Sequence, residues 1–165
     1  YAVVLAGLAA LSGVRHGAHT ARVRALLESI PSPGQARPVL RDRLRRGEDL
    51  PGFGHRLYPE GDPRAHTLLG LLQEIPDRTP FMASARELID STRREGELLT
   101  GKPVSVDFAL VALELTLGLP RGSALTLFAL GRTVGWVAHA IEQYESGQLL
   151  RPRARYTGRA PQRAD

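Results

Sequence analysis

The run from Phe108 to Leu117 most strongly limits what this chain can fold into, because it is almost wholly apolar apart from Glu114. Segments that interrupt helices lie on both sides of it, at residues 100–103 and 118–120, and both contain glycine and proline. A helix that is apolar on all of its faces is buried on all of its faces. The sequence therefore predicts that this helix lies at the centre of the fold.

Apolar residues at helical spacing predict further helices on both sides of this run. Helices are expected over residues 1–11, 20–30, 36–50, 63–75, 81–99 and 123–144. In the last of these, the apolar positions recur three and four residues apart, as one face of a helix requires. Alternating patterns typical of strands are nearly absent, so we expect an all-α fold.

The composition excludes several kinds of site. The 165 residues include no cysteine, so neither disulfides nor thiolate metal sites are available, and we expect no metal centre. The longest uncharged run, residues 1–14, is too short to span a bilayer, so we expect no membrane association and a cytoplasmic location. At this length, one domain or two lobes that share a core are expected.

The net charge of +5 raises the question of nucleic-acid binding. Residues 151–165 hold five Arg and one Asp, a net of +4, which leaves a net charge of +1 for the rest of the chain. The body is therefore almost neutral, and aromatic residues make up only 5% of the sequence. We expect no nucleic-acid partner, and a basic tail remains the one place where such binding could occur.

The stretch from Pro51 to Arg64 departs from the helical pattern, because it places glycines, a histidine and an arginine in one short non-helical run. Its first two glycines permit backbone conformations and close approaches that a Cβ would obstruct. Asp62 before Pro63 is typical of a helix start, which puts Arg64 in the first helical turn. The residues alone leave two interpretations open, a structural turn with a solvated His55 or a binding loop.

Five motifs in this order and at these separations resemble the C-terminal part of a citrate synthase. They are PGFGHR at 51–56 with DPR at 62–64, VDF at 106–108, FALGRTVGW at 128–136 with His139, and RPRARYTG at 151–158. The resemblance extends from His16 to Gly158, so the chain is interpreted as a fragment similar to the second half of such an enzyme. It implies a small helical domain at 18–108 between large-domain segments at 1–17 and 109–165.

The resemblance implies three catalytic residues for the condensation of acetyl-CoA, or a related acyl-CoA, with oxaloacetate or a related 2-oxo acid. Asp107 would remove the methyl proton, His16 would stabilise the enolate, and His55 would polarise the carbonyl of the acceptor. The apolar neighbours of Asp107 should raise the basicity of its carboxylate. From spacing alone, Asp107 could equally be the cap of the helix that follows it. His19, His66 and His139 have no assigned role.

The resemblance also implies residues that bind the two substrates. Arg64, Arg132 and Arg151 would bind substrate carboxylates, which suits the bidentate geometry of guanidinium groups. Phe128 would line the same pocket, and Arg151 would reach the site of a neighbouring subunit, which implies a homodimer. The loop of Pro51, Gly52, Phe53 and Gly54 would recognise the adenine of CoA. No cofactor is expected, because acetyl-CoA is a substrate.

The sequence departs from the family pattern around two of these residues. Residues 17–21 read GAHTA, where the family usually shows GGANE after the histidine, and Ser105 replaces the usual asparagine before Asp107. After Phe108 the usual Tyr-Ser-Gly is replaced by a segment that begins Ala-Leu. A second interpretation is therefore kept beside the enzyme, a non-catalytic relative that binds CoA or a dicarboxylate as a regulator.

Overall fold

A computed structural model describes residues 1–13, 17–151, 153–155 and 157–158. Within these residues the chain forms seven α-helices and one 3₁₀ turn at Pro33–Gln35, with no strand. The helices are α1 (Ala2–Leu11), α2 (Gly17–Glu28), α3 (Ala36–Arg45), α4 (Pro63–Glu74), α5 (Pro80–Thr100), α6 (Val106–Thr116) and α7 (Ser123–Ser146). The expectation of an all-α fold is confirmed.

Helix α6 lies at the centre, as its apolar sequence predicted. Its buried residues are Val106, Phe108, Ala109, Leu110, Val111, Ala112, Glu114 and Thr116. The helix packs against α2, α4, α5 and α7. The predicted domain boundary at residue 108 therefore falls inside α6, and the division at 17 and 108 stays a prediction.

Two apolar clusters form the core. The larger surrounds α6 and draws on α2, α4 and α5, whereas the smaller joins Leu26 of α2 to α3 and to Leu50. Phe53 packs against both clusters, with its ring edge against Phe108 at 5.5 Å between centroids and an interplanar angle of 62°. The loop that starts at Pro51 is thus anchored in the core by one aromatic side chain.

Glu114, the one charged residue of the second half of α6, is buried and fully engaged. Its carboxylate accepts a hydrogen bond from the Arg24 side chain and another, at 2.6 Å, from the backbone N–H of Ala124. Arg24 and Arg121 also donate to Glu28, each at 2.8 Å. The hydrogen bond from Arg24 lowers the pKa of Glu28. These charges join α2, α6 and the start of α7, so a buried carboxylate is compensated by partners from two other elements.

Helix α1 packs mainly against α7, and both helices leave much of their apolar surface exposed. The Trp136 ring lies directly against Gly7, where an added Cβ would come within 2.5 Å of the ring. Leu5, Leu130 and Val134 are 68%, 64% and 73% exposed. Within the described residues, α7 is long and apolar enough to cross a membrane by length and composition alone. The expectation of no membrane association stays a prediction.

Candidate active site

The loop around Phe53 is fixed to the segment that enters α6. The N–H of Gly54 donates to the carbonyl of Pro103 at 2.7 Å, and the N–H of Ser105 donates to the carbonyl of Gly52 at 2.8 Å. Phe53 and Val104 form an antiparallel bridge between these bonds. Gly52 and Gly54 have φ of 91° and 80°, in the region that favours glycine. Two segments about fifty residues apart in sequence are thereby held side by side.

Asp62 connects the same loop to two helix starts. It is the N-cap of α4, as predicted, and accepts a hydrogen bond from the Arg64 N–H at 3.1 Å. Its carboxylate also accepts from Nε and Nη2 of Arg64, at 2.9 and 2.8 Å, and from the N–H of Val106 at 3.0 Å. Burial alone raises the pKa of this carboxyl, but the hydrogen bonds from Arg64 and Val106 outweigh burial, so the pKa of Asp62 lies below its usual value.

His55 and Arg64 direct two donors toward the same space. The N–H of Leu57 donates to Nδ1 of His55 at 3.2 Å, which places the ring proton of a neutral imidazole on Nε2. Nε2 lies 3.3 Å from Nη2 of Arg64, a group that can only donate. In the tautomer that carries the proton on Nε2, both groups are donors, and the pair is suited to an oxygen acceptor that hydrogen-bonds both, such as a carbonyl or carboxylate.

Arg64, Phe128 and Arg132 line one cavity of about 480 Å³ between α4, α6 and α7. The remaining lining residues are almost all apolar and comprise Leu68, Val106, Leu110, Leu113, Leu127 and Gly131. Among the residues that the structure describes, Arg132 forms no ion pair, although it stands in a largely apolar helix. Two guanidinium groups on an apolar wall can hold a small molecule that carries carboxylates.

Asp107 lies in the first turn of α6, immediately after Val106, and is half-buried. The pKa of Arg64 is raised mainly by its hydrogen bond with Asp62. The negative charge of the nearby Asp107 raises it further. The alternative that Asp107 caps the helix is wrong, because Ser105 occupies the N-cap position. Helix α6 begins at Val106, two residues before the apolar run that predicted it, so Asp107 lies within the helix.

Comparison with known proteins identifies the family to which this chain belongs. Residues 1–153 match the family described as "Citrate synthase, C-terminal domain". The chain belongs to the citrate synthase family. It is 34% identical to citrate synthase 2 of Bacillus subtilis over 96% of the chain and 42% of that protein. It is also 30% identical to 2-methylcitrate synthase 1 of Corynebacterium glutamicum, over 96% of the chain and 41% of that protein.

A solved structure supports the same conclusion. The chain superimposes on the citrate synthase of Thermoplasma acidophilum, solved as a ternary complex with carboxymethyl coenzyme A and oxaloacetate, with a TM-score of 0.81 and 33% identity. The match covers 98% of this chain and 44% of that structure. The chain thus spans less than half the length of each of these three proteins.

The structure brings together only part of the predicted citrate synthase site. His55, Arg64 and the start of α6 meet, and Arg64, Phe128 and Arg132 share a cavity. Arg151 is exposed beyond the end of α7 and does not line that cavity. His16 lies outside the described residues. The roles assigned to all of these residues stay predictions.

In the predicted CoA loop, Pro51 and Gly52 are buried and the Phe53 ring points into the core. This leaves the backbone of the loop, and not the Phe53 ring, as the part that could recognise adenine. The structure also adds Lys102, the one lysine of the sequence, whose side chain lies against Gly54. Its position after a glycine in a helix-breaking segment gave no sequence signal for this contact.

Sequence reasoning also missed two neighbours of the His55–Arg64 pair. Asp62 was predicted only as a helix cap, although it holds the Arg64 side chain as well. Tyr58 was given no role, yet its ring lies 4.9 Å from the His55 ring and 5.2 Å from Cζ of Arg64. The signal available for both was their place between His55 and Arg64 within the same glycine-rich loop.

Proposed function

We propose that this chain is the part of a citrate synthase-type acyltransferase that binds oxaloacetate, or a related 2-oxo acid, and joins it to acetyl-CoA or a related acyl-CoA. The products would be citrate, or the corresponding acid, and CoA. The observation that carries the proposal is the convergence of the His55 and Arg64 donors at 3.3 Å beside a cavity that Arg132 also lines. Family membership supports it.

The ketone and the carboxylates of oxaloacetate would each meet a side chain that can bind them. The Nε2–H of His55 would hydrogen-bond the ketone oxygen of oxaloacetate and make its carbon more electrophilic. The guanidinium groups of Arg64 and Arg132 would pair with its carboxylates, and Phe128 would limit the space beside them. Because Asp62 occupies one edge of Arg64, the carboxylate would bind through the remaining N–H groups.

The reaction would begin on the thioester. Asp107 would take a proton from the methyl group while His16 hydrogen-bonds the developing enolate oxygen. The enolate carbon would then attack the ketone carbon, and the ketone oxygen would gain the proton carried by His55. Hydrolysis of the resulting thioester by water would release CoA. The first turn of α6 suits this role because it holds Asp107 beside Arg64.

The CoA substrate would lie along the Pro51–Gly54 loop, with the ammonium group of Lys102 available to its phosphates. We further propose a cytoplasmic homodimer that needs no cofactor, in which Arg151 of each chain completes the site of the other. The exposed position of Arg151 after α7 supports this, because such a side chain is accessible to a second subunit.

The test is a calorimetric titration of the chain with oxaloacetate and, separately, with CoA. Loss of one charged hydrogen-bonding group weakens binding by about 1.5–3 kcal/mol, which is roughly 10- to 100-fold in affinity. We expect Arg132→Leu to show this loss for oxaloacetate and no loss for CoA. The reason is that the Arg132 guanidinium lines the proposed acceptor cavity and is not part of the proposed CoA loop.

The matched control is Arg94→Leu, which removes an exposed arginine on α5 that does not line the cavity, and this variant should bind both ligands as the unsubstituted chain does. Equal losses for oxaloacetate and CoA in Arg132→Leu would show that Arg132 is structural. Absence of oxaloacetate binding to the unsubstituted chain at millimolar concentration would overturn the proposed acceptor site.

A further inference from the structure

Within the described residues, the Tyr58 ring is the aromatic ring against which both donors of the acceptor site lie. The His55 ring is tilted by 32° to it at a centroid distance of 4.9 Å, and Cζ of Arg64 is 5.2 Å from its centroid. The two donors therefore share a support that is neither helical nor part of the apolar core.

The backbone holds Tyr58 in place independently of its side chain. Its N–H donates to the carbonyl of His55 at 3.1 Å, and its carbonyl accepts from the N–H of Gly61 at 3.2 Å. Two consecutive turns thus fix the position from which the ring extends. Within the described part of the chain, the Tyr58 hydroxyl makes no hydrogen bond, so the ring face is what contacts its neighbours.

The contact of Tyr58 with Arg64 complements the hydrogen bonds that Arg64 donates to Asp62. Those bonds hold one edge of the Arg64 guanidinium in its plane but do not by themselves oppose displacement out of that plane. A ring face attracts a guanidinium cation and blocks that displacement. The same ring limits rotation of the His55 imidazole, whose Nδ1 accepts a hydrogen bond from the Leu57 N–H.

We infer that Tyr58 is a positioning residue, whose ring face holds His55 and Arg64 at the separation at which both can donate to one oxygen. Its hydroxyl is dispensable for this. The part of the inference that concerns oxaloacetate rests on the proposed function, whereas the ordering of His55 and Arg64 belongs to the chain without ligand.

The experiment compares Tyr58→Phe, which keeps the ring, with Tyr58→Leu, which removes it. In the ligand-free chain, nuclear magnetic resonance would follow the solvent exchange of the Arg64 Nε–H and the tautomer of His55 through its ring ¹⁵N shifts. We expect the unsubstituted chain and Tyr58→Phe to give slow exchange and a single Nε2–H tautomer. Tyr58→Leu should exchange at least about 5-fold faster and show averaged ring signals.

The second readout is affinity for oxaloacetate. Tyr58→Phe should stay within about 2-fold of the unsubstituted chain and Tyr58→Leu should bind roughly 10-fold more weakly, a loss between those that exposed and desolvated cation–π contacts give. Tyr144→Leu is the matched control, because Tyr144 is 80% exposed on α7, and it should change neither readout.

Unchanged Arg64 exchange in Tyr58→Leu would overturn the inference, and so would equal losses in the Phe and Leu variants. If circular dichroism shows that Tyr58→Leu does not fold, Tyr58→Met gives the same comparison. A chain that shows the ligand-free differences but does not bind oxaloacetate would support the positioning role and refute the proposed function, so the two failures are distinguishable.

Discussion

The carboxylate of Asp62 accepts a hydrogen bond from the backbone of Val106 at 3.0 Å, across 44 residues of sequence. The same carboxylate binds the Arg64 side chain through two further hydrogen bonds. One buried group therefore sets the position of a candidate substrate-binding cation and of the helix that carries Asp107. This relationship is what makes the loop and the start of α6 a single unit.

Replacement of Asp62 by asparagine should destabilise the fold. The variant loses the charge of an acceptor that is buried and serves four donors. Removing one partner of a buried ion pair costs about 3–5 kcal/mol, but the Arg64 side chain is 43% exposed, so we expect about 2 kcal/mol. Urea denaturation of the two chains near neutral pH measures this difference in free energy of unfolding.

The difference in free energy of unfolding between Asp62→Asn and the unsubstituted chain should depend on pH in a defined direction. The folded-state pKa of Asp62 is below its unfolded value, so its contribution to stability is present above the unfolded pKa and is lost as pH falls through the folded pKa. The difference in free energy of unfolding between Asp62→Asn and the unsubstituted chain should therefore become smaller below about pH 4. A gap that widens on acidification would contradict the direction of this shift.

Asp42→Asn is the control for Asp62→Asn. Asp42 pairs with Arg46 on the surface of α3, where the two side chains are 64% and 54% exposed. Exposed pairs of this kind contribute little, so the free energy of unfolding should change by less than about 1 kcal/mol.

Gly96→Ala should destabilise the chain through the Phe53 loop. An added Cβ at Gly96 would come within 2.1 Å of the Phe53 ring, whose position is fixed by both apolar clusters. Overpacking of this kind costs about 1–3 kcal/mol. Because Phe53 carries the Pro51–Gly54 loop, CoA binding should weaken as well, which calorimetry would detect beside the urea denaturation.

The matched control is Gly70→Ala in α4. Gly70 also lies inside a helix, but an added Cβ there meets no atom within 4 Å. Alanine is a better helix former than glycine, so this variant should be stabilised by about 0.5–1 kcal/mol. If Gly96→Ala were as stable as Gly70→Ala, the close approach of Phe53 would not be a constraint on the fold.

The exposed apolar face of α7 should cause self-association of the chain. Large apolar patches on a protein surface mark contact sites. Sedimentation velocity should show concentration-dependent oligomers, and replacing both Leu130 and Val134 by glutamate should reduce them, because these side chains are 64% and 73% exposed.

Leu98→Glu provides the comparison, since Leu98 is equally exposed at 73% but lies on α5. This variant should associate as the unsubstituted chain does. A chain that sediments as a monomer at all concentrations would show that the α7 face is not a contact surface.

The helices and their order followed from the sequence, because periodic apolar spacing is a local property. The all-apolar run at 108–117 correctly predicted a central helix, and the Asp-Pro pair at 62–63 correctly predicted a helix start. The motif order was also sufficient to predict the citrate synthase family. Helix ends were predicted less well: α2 begins at Gly17, earlier than expected, and α3 ends at Arg45, short of residue 50.

The tertiary structure alone decided which of the predicted site residues meet. Local patterns carry no information about a hydrogen bond across 44 residues, so the link from Asp62 to Val106 could not be read from the sequence. The place of Asp107 within the helix, after the Ser105 N-cap, depended on pairing between residues 52–54 and 103–105. The common cavity of Arg64 and Arg132 arose from the packing of α4 and α7 on α6, which sets distances between side chains that lie far apart in the chain.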